Sequence, residues 1–243
     1  MRYGLLSDVH GNEPALRAVL ADLAALGVER IVCLGDLVGY GADPGPVVDL
    51  LASQGAVAVA GNHDYASVGK TPLDWFNPYA RRAAEWTSER LTADQARYLA
   101  KLPLTLEEAG ALLVHSSPRN PEAWPYLISA EDGAEALSAF THRICFLGHS
   151  HLPAIWRVRE DERLEFERGP HRRVLAPSER YLVNVGSVGQ PRDGDPHAAY
   201  AIWDLEGESV EIRRVPYDVQ EARRRIHAAG LPRILGDRLL RGR

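Results

Sequence analysis

The sequence predicts an α/β protein folded as a single domain over residues 1–243. Three observations predict it. Residues 1–60 alternate short apolar runs with helical ones, residues 70–102 read as helical throughout, and most of the rest reads as short strands between turn residues. Strand–helix alternation implies parallel pairing through right-handed crossovers. The second half, mostly antiparallel, suggests a second sheet packed against the first.

Tyr3–Ser7 is a short apolar run ending at Asp8. It leads into a helix over Pro14–Leu26, where Leu16, Val19, Leu20, Leu23 and Leu26 recur at helical spacing and Pro14 suits a first turn. The pattern repeats: a strand over Arg30–Leu34, a loop carrying Asp36, and a helix from Pro44 to Gln54 with Asp43 as its expected N-cap. A third strand, Ala56–Ala60, runs into the loop Gly61-Asn62-His63-Asp64. Sites in such sheets lie beyond the carboxyl ends of the strands, so Asp8, Asp36 and Asn62 are expected on one rim. Within the helical stretch, Thr92-Ala93-Asp94-Gln95 has the form of a capping box. Strands are then expected over Leu104–Glu108 and Ala111–His115, and a helix over Ser129–Phe140. Further strands are expected over Arg143–Leu147, Ala154–Val158, Leu164–Glu167, Tyr181–Val185, Ala199–Leu205 and Ser209–Val215, with a last helix from Asp218.

At 45% apolar residues the chain can bury a full core. A net charge of −5 argues against a protein that stably holds nucleic acid, which needs a basic face. Phosphate groups on a substrate must then meet local positive charge, and bound metals are one source of it. Cys33 and Cys145 both sit in apolar runs and read as small buried hydrophobes rather than a disulfide framework. No apolar run approaches the ~18–20 residues that span a bilayer, and the chain enters its first strand without a basic-then-apolar leader. These features read as a soluble cytoplasmic protein with no membrane partner.

Five of the nine histidines, His10, His63, His115, His149 and His151, lie beside a Gly, Asp or Asn or directly at a strand end. Taken singly, most have an ordinary structural explanation. Asp8-Val9-His10 fits a turn with a helix cap, Gly35-Asp36-Leu37-Val38-Gly39 a strand exit, and His115 a core histidine. Gly61-Asn62-His63-Asp64 is denser in reactive types. In Gly148-His149-Ser150-His151, alternating histidines on a tight turn can address two neighbouring metals. The order decides between these readings. The series D-x-H, G-D-x-x-G, G-N-H-D, H, G-H-x-H resembles the calcineurin-like metallophosphoesterase family over about Met1 to Arg192. The stretches Ser7–Asn12, Gly39-Tyr40-Gly41 and Asn184–Arg192 look like its small prokaryotic phosphodiesterase group, related to diadenosine tetraphosphatases. Ser150, where Thr is common, and Val185, where Pro is frequent, depart from the pattern without removing a ligand.

The resemblance implies a four-layer α/β/β/α sandwich of two mixed sheets, with residues 70–102 as a small helical cap. It places Asp8, His10, Asp36 and His151 around one metal and Asp36, Asn62, His115 and His149 around the other. Chemistry agrees on the bridge, because a carboxylate has two oxygens to share and an imidazole has one lone pair. A nitrogen/oxygen donor set without thiolate suits two divalent transition metals, Mn2+ first, with Fe, Zn2+, Ni2+ or Co2+ as alternatives. Two cations about 3.5–4 Å apart activate a shared water for in-line attack on phosphorus. His63 resembles the family's active-site histidine, and Asp64 is expected to hold its ring. Asn12 and Arg192 fall on the substrate side, Arg192 as a partner for a second phosphate unless Asp193 or Asp195 claims it. Trp75, Phe76 and Tyr79 either stack a nucleobase or pack the helices onto the body.

The expected partner is thus a phosphorylated small molecule or nucleotide, a phosphodiester or a nucleotide polyphosphate of the diadenosine tetraphosphate kind. Three alternatives share the motifs. A non-catalytic scaffold of this fold usually loses ligands, and here every motif position is filled. A DNA nuclease carries added DNA-binding segments, and this chain is short and acidic. A protein Ser/Thr phosphatase fits the Gly39-Tyr40-Gly41 context less well.

Overall fold

In a computed structural model, all of residues 1–243 are described. Three strands of the first half, β1 (Arg2–Leu6), β2 (Arg30–Cys33) and β3 (Val57–Ala58), pair in parallel. The strands β4 (Thr105–Glu108), β5 (Ala111–Val114), β6 (Ile144–Leu147), β7 (Ala154–Val158), β8 (Leu164–Arg168) and β10 (Arg180–Asn184) make a second sheet, in the order β4-β5-β6-β10-β7-β8. Three later strands, β9 (Arg172–Val174), β11 (Ala198–Asp204) and β12 (Ser209–Val215), complete the first sheet in the order β3-β2-β1-β11-β12-β9. Both sheets are mixed.

The two halves of the sequence therefore do not map onto two sheets, as the sequence reading had it. β11 pairs antiparallel with β1, Gly4 opposite Ile202, and so becomes a central strand. Its sequence, Ala-Ala-Tyr-Ala-Ile-Trp-Asp, explains the placement: apolar on both faces, it is buried from Ala198 to Trp203. β9 escapes the sequence reading because it is a three-residue edge strand opening with Arg172 and Arg173, the charged composition that keeps a sheet edge from pairing further.

Alternation along β1 builds the layers. Tyr3 and Leu5 join the apolar core between the sheets, with Phe146, Tyr181, Val183 and Trp203. Gly4 and Leu6 face the other way, and a side chain at Gly4 would meet the Leu23 methyls at 2.6 Å, so helix α1 (Glu13–Ala25) sits close on the sheet. Helices α1, α2 (Pro44–Ser53) and α5 (Ala93–Lys101) cover this outer face through Leu16, Val19, Leu23, Val47, Leu51 and Leu99. Helix α6 (Ala130–Leu137) covers the outer face of the second sheet over Trp156. The result is the expected α/β/β/α sandwich.

The capping box at Thr92/Gln95 forms as expected. Asp43 precedes α2 but makes no cap bond; its carboxylate instead faces Arg225 at 3.2 Å, on helix α7 (Val219–Ala228). Gly61-Asn62-His63-Asp64 is not a loop but the start of a helix, α3 (Asn62–Ser67). Helix α4 (Pro78–Ser88), α7 and α8 (Arg233–Asp237) meet in a satellite cluster around Tyr40, Trp86, Ile226 and Leu239. A 3-10 turn over Arg238–Arg241 follows. Both cysteines are free and buried, and no helix is long and apolar enough to cross a membrane.

Candidate metal centre

Five strand ends deliver the predicted residues to one edge of the sandwich. β1 delivers Asp8 and His10, β2 Asp36, β3 Gly61 and then Asn62, β5 His115, and β6 His149 with His151. Asp8, His10, Asp36, His63, His115, His149 and His151 are all buried, none more than 5% exposed. They meet across long sequence separations: the Asp8 carboxylate accepts a hydrogen bond from the His149 backbone N–H at 2.9 Å.

Each of four imidazoles directs one nitrogen at a backbone carbonyl. His10 Nδ1 lies 3.1 Å from the Val38 oxygen, His115 Nδ1 2.7 Å from Leu34, His151 Nδ1 2.5 Å from Gln190, and His149 Nε2 2.9 Å from Trp124. A carbonyl only accepts, so each ring carries a proton on its outward nitrogen and a neutral ring turns a lone pair inward. The inward nitrogens fall in two close pairs, His10 Nε2 with His151 Nε2 and His115 Nε2 with His149 Nδ1, each at 3.1 Å. Lone pairs that close need a cation or a proton between them.

The carboxylates complete the arrangement. Asp36 anchors one oxygen on the His63 N–H at 2.8 Å, while Oδ2 sits between the two pairs, 3.6 Å from His10 Nε2 and 3.4 Å from His115 Nε2. Asp8 Oδ1 lies 3.1 Å from His151 Nε2. Asp8 Oδ1 and Asn62 Oδ1 are buried without a hydrogen-bond partner, which is costly unless something positive meets them. Three His/Asp groups are compact enough to hold an ion: Asp8/His10/His151, Asp36/His115/His149 and His10/Asp36/His63. The first holds three of the four residues expected in one shell, without Asp36, and the second three of the four expected in the other, without Asn62; the donor set fits divalent transition metals.

Titration follows the same logic. Burial alone would raise the Asp8 and Asp36 carboxyls, but His151 and His115 beside Asp8, and His115 and His63 beside Asp36, hold both well below the usual range. Burial drives His149 down to about 3 and His63 to about 4. His115 goes the other way, to about 9, because Asp36 and Asp8 outweigh its burial. A proton on His115 does in the bare polypeptide what a cation would do between the rings.

Strain concentrates here too. Asp8, His10, Asp36, His149 and His151 have φ of 52°, 50°, 53°, 66° and 60°, the left-handed region that costs a non-glycine residue about 1–2 kcal/mol. Tyr40 and Trp124, with φ of 57° and 53°, adjoin them. The surrounding structure holds these turns in place; for example, a side chain on Gly61 would collide with the Asp36 carboxylate.

Two expectations are corrected. Asp64 does not hold the His63 ring: its carboxylate accepts from the backbone N–H groups of Gly61 at 2.9 Å and Val38 at 3.1 Å, and His63 Nδ1 has no partner. One helical residue is a turn of ~100°, so neighbours on α3 point apart. His63 is positioned by packing instead, against Tyr40 at 4.3 Å, Phe76 at 4.9 Å and His10 at 4.9 Å between ring centroids. Asn12, expected on the substrate side, is buried with its side chain committed within the protein. It caps α1 through the Ala15 N–H at 3.2 Å and spends both amide protons on the Gly189 carbonyl and the Tyr217 hydroxyl. Arg192 pairs with neither Asp193 nor Asp195; its guanidinium lies over the Tyr40 ring at 5.8 Å.

A cleft of about 180 Å³ opens on the centre between Asn62, His63 and His149 on one side and Trp75, Phe76 and Tyr126 on the other. Trp75 is 64% exposed and Tyr126 54%, the latter stacked on the His149 ring at 4.2 Å. Tyr79 is exposed but does not line this cleft. Trp124 and Tyr126 were not singled out from the sequence. The one signal for them is an aromatic pair around Pro125 in the loop that follows His115.

Comparison with known proteins agrees with this geometry. The sequence model of the calcineurin-like phosphoesterase superfamily domain matches residues 1–208. An uncharacterised protein of Methanocaldococcus jannaschii is 40% identical over 243 residues, 98% of this chain and 97% of its own. A solved metallophosphoesterase from Sphaerobacter thermophilus is also 40% identical, with a TM-score of 0.87 over 100% of this chain and 99% of that one. A hypothetical protein from Pyrococcus horikoshii OT3, at 21% identity, shares the fold with a TM-score of 0.81 over 100% and 98% of the two chains. The chain with five histidine- and aspartate-bearing strand ends on one rim thus belongs to the calcineurin-like phosphoesterase superfamily, a family of metal-dependent phosphoester hydrolases.

Proposed function

We propose that the protein is a binuclear phosphohydrolase acting on a phosphodiester or a nucleotide polyphosphate. The observation that carries this reading is the pair of imidazole contacts at 3.1 Å on either side of Asp36 Oδ2. Asp8, His10, Asp36 and His151 would hold one ion and Asp36, Asn62, His115 and His149 the other. Divalent ions held there supply Lewis acidity towards phosphoryl oxygens and lower the pKa of water; the donor set favours Mn2+, with Fe, Zn2+, Ni2+ or Co2+ as alternatives.

The residues of the chain do the rest. His63 presents a ring whose Nδ1 is uncommitted to any protein group, next to the cleft. It is placed to donate a hydrogen bond to a phosphoryl oxygen or the leaving oxygen. Asp64 fixes the entry into α3, so that Asn62 and His63 leave the β3 end at set angles. Arg192, free of any carboxylate, faces the anionic substrate from the loop after β10. Trp75, Phe76 and Tyr126 exclude water on the open side and offer apolar area to an organic leaving group.

Turnover by the Mn2+-loaded protein of bis-p-nitrophenyl phosphate and diadenosine tetraphosphate tests the reading. Failure on both and on a wider phosphoester panel, with two ions per chain confirmed by elemental analysis, sinks it.

A further inference from the structure

We infer that the cleft beside His63 is a slot for one planar aromatic ring system on the leaving group of the phosphoester, and that Trp75 selects it. The inference deepens the function proposed above and rests on it for the phosphoryl group that reacts.

Two loops build the slot, and each holds one histidine of the centre while presenting an exposed aromatic ring. The first lies between α3 and α4. Its Phe76 meets the His63 ring edge-on at 4.9 Å, and its Trp75, at the end of a 3-10 turn, is 64% exposed. The second lies between β5 and α6. Its Trp124 carbonyl rests on His149 Nε2 at 2.9 Å, and its Tyr126 ring lies within 16° of parallel to the His149 ring while staying 54% exposed. Phe76 and Trp124 tie the loops to the body, and the open area of Trp75 and Tyr126 serves no packing. Both rings line one cleft with Asn62, His63 and His149. A group held there stands next to the phosphoryl group those residues would handle, and exposed aromatic area at such a mouth marks a binding surface.

The lining decides what fits. It contains no Asp, Glu, Lys or Arg, so a charged leaving group finds no counter-charge there. Its volume of about 180 Å³ slightly exceeds the ~150 Å³ of a cavity that holds one benzene. It falls short of the ~300–1,000 Å³ of a pocket enclosing a whole small molecule. One ring system fits, whereas a peptide segment or a long acyl chain does not. Stacking on Trp75 and Tyr126 favours a planar aromatic group over an aliphatic one of equal area. Thr71 and Asn77 also line the cleft. Asn77 Oδ1 caps α4 through the Tyr79 and Ala80 N–H groups, at 3.1 and 3.0 Å, so its amide has only donors left to offer. A ring whose edge bears acceptors is the complement. The substrate class is therefore a phosphoester whose leaving alcohol carries a planar ring, either an aryl ester or a nucleoside.

Calorimetric and fluorescence titrations of the metal-loaded full-length chain test the slot. The ligands are phenylphosphonate, the 5′-methylenephosphonate analogue of adenosine monophosphate, and methylphosphonate. None has a P–O ester bond to hydrolyse, so binding is read without turnover. The wild type should bind at least one aromatic phosphonate about tenfold or more tighter than methylphosphonate, the scale of one stacked ring. Of the five tryptophans the other four are at most 8% exposed, so quenching on stacking should fall on Trp75. Trp75→Ala should abolish most of the preference. Trp75→Phe should keep most of it while losing the quenching. Tyr79→Ala, which removes an exposed ring outside the cleft, should change neither. The tighter of the two aromatic ligands assigns the slot to a nucleoside or to a simple aryl ester, and either upholds it. A wild type without the preference, or a Trp75→Ala chain that folds and keeps it, overturns the slot. A chain that turns over no phosphoester would sink the proposed function while leaving this difference in affinity to be read.

Discussion

The inward nitrogens of His10 and His151 stand 3.1 Å apart while each ring's other nitrogen rests on a backbone carbonyl. Neither ring can turn its proton inward without abandoning its carbonyl, so the pair is held in a geometry that only a cation or an added proton relieves. Exhaustive chelation should therefore lower thermal stability. An ion present at about 100 times its Kd contributes about 2.7 kcal/mol, and about 1 kcal/mol moves Tm by about 2–4 °C for a chain of this size. Scanning calorimetry with and without chelator should record a fall of about 5–10 °C, reversed by Mn2+. An unchanged Tm, with metal loss verified, would count against ions at this centre.

Asp36→Asn separates a bridge from an ordinary ligand. If the asparagine oxygen stays on the His63 N–H, the amide NH2 must point at His10 and His115. If it flips, the helix start loses its anchor. Either way both ions suffer, and elemental analysis should fall from two ions per chain to fewer than one. A variant that retains one full equivalent would place the bridge elsewhere.

His63→Ala removes a ring that touches no carbonyl and carries an unpaired Nδ1. Metal content should stay at the wild-type value while kcat falls about 10²–10⁴-fold, the range for a lost proton-transfer or charge-stabilising group. An emptied site would instead make His63 a ligand, as its place in the His10/Asp36/His63 group permits.

Asp64→Ala leaves the buried N–H groups of Gly61 and Val38 without acceptors. At about 1–3 kcal/mol for each orphaned group, chemical denaturation should report a loss of roughly 2–5 kcal/mol. Were Asp64 an orienting partner of His63, kcat would fall and stability would hold.

Much of this site was legible because a metal centre leaves a dense chemical trace. Seven donors of few residue types stand at strand ends in a set order, and the structure gathers all of them at one edge. What escaped was the direction of side chains whose sequence neighbours mislead. Asp64 follows His63 directly, yet the turn of α3 sends it to Val38. Asn12 adjoins Asp8 and His10, yet capping α1 uses its amide completely. The sheets were harder, since nothing local in Ala198–Asp204 says that it will pair with a strand nearly two hundred residues earlier.

The four carbonyls that orient the histidines belong to three separate segments, Leu34 and Val38 on the connection from β2 to α2, and Trp124 and Gln190 on two others. Ions at the centre would therefore act as cross-links, in a chain whose only two cysteines are buried and unpaired. The Asp8–His149 contact alone closes a loop of 141 residues, and the entropy so removed from the unfolded chain grows only slowly with loop length. Unlike a disulfide, such a clasp is indifferent to reducing agents and opens to chelators. Amide exchange should consequently quicken first along the β1 and β6 ends when the clasp is withdrawn.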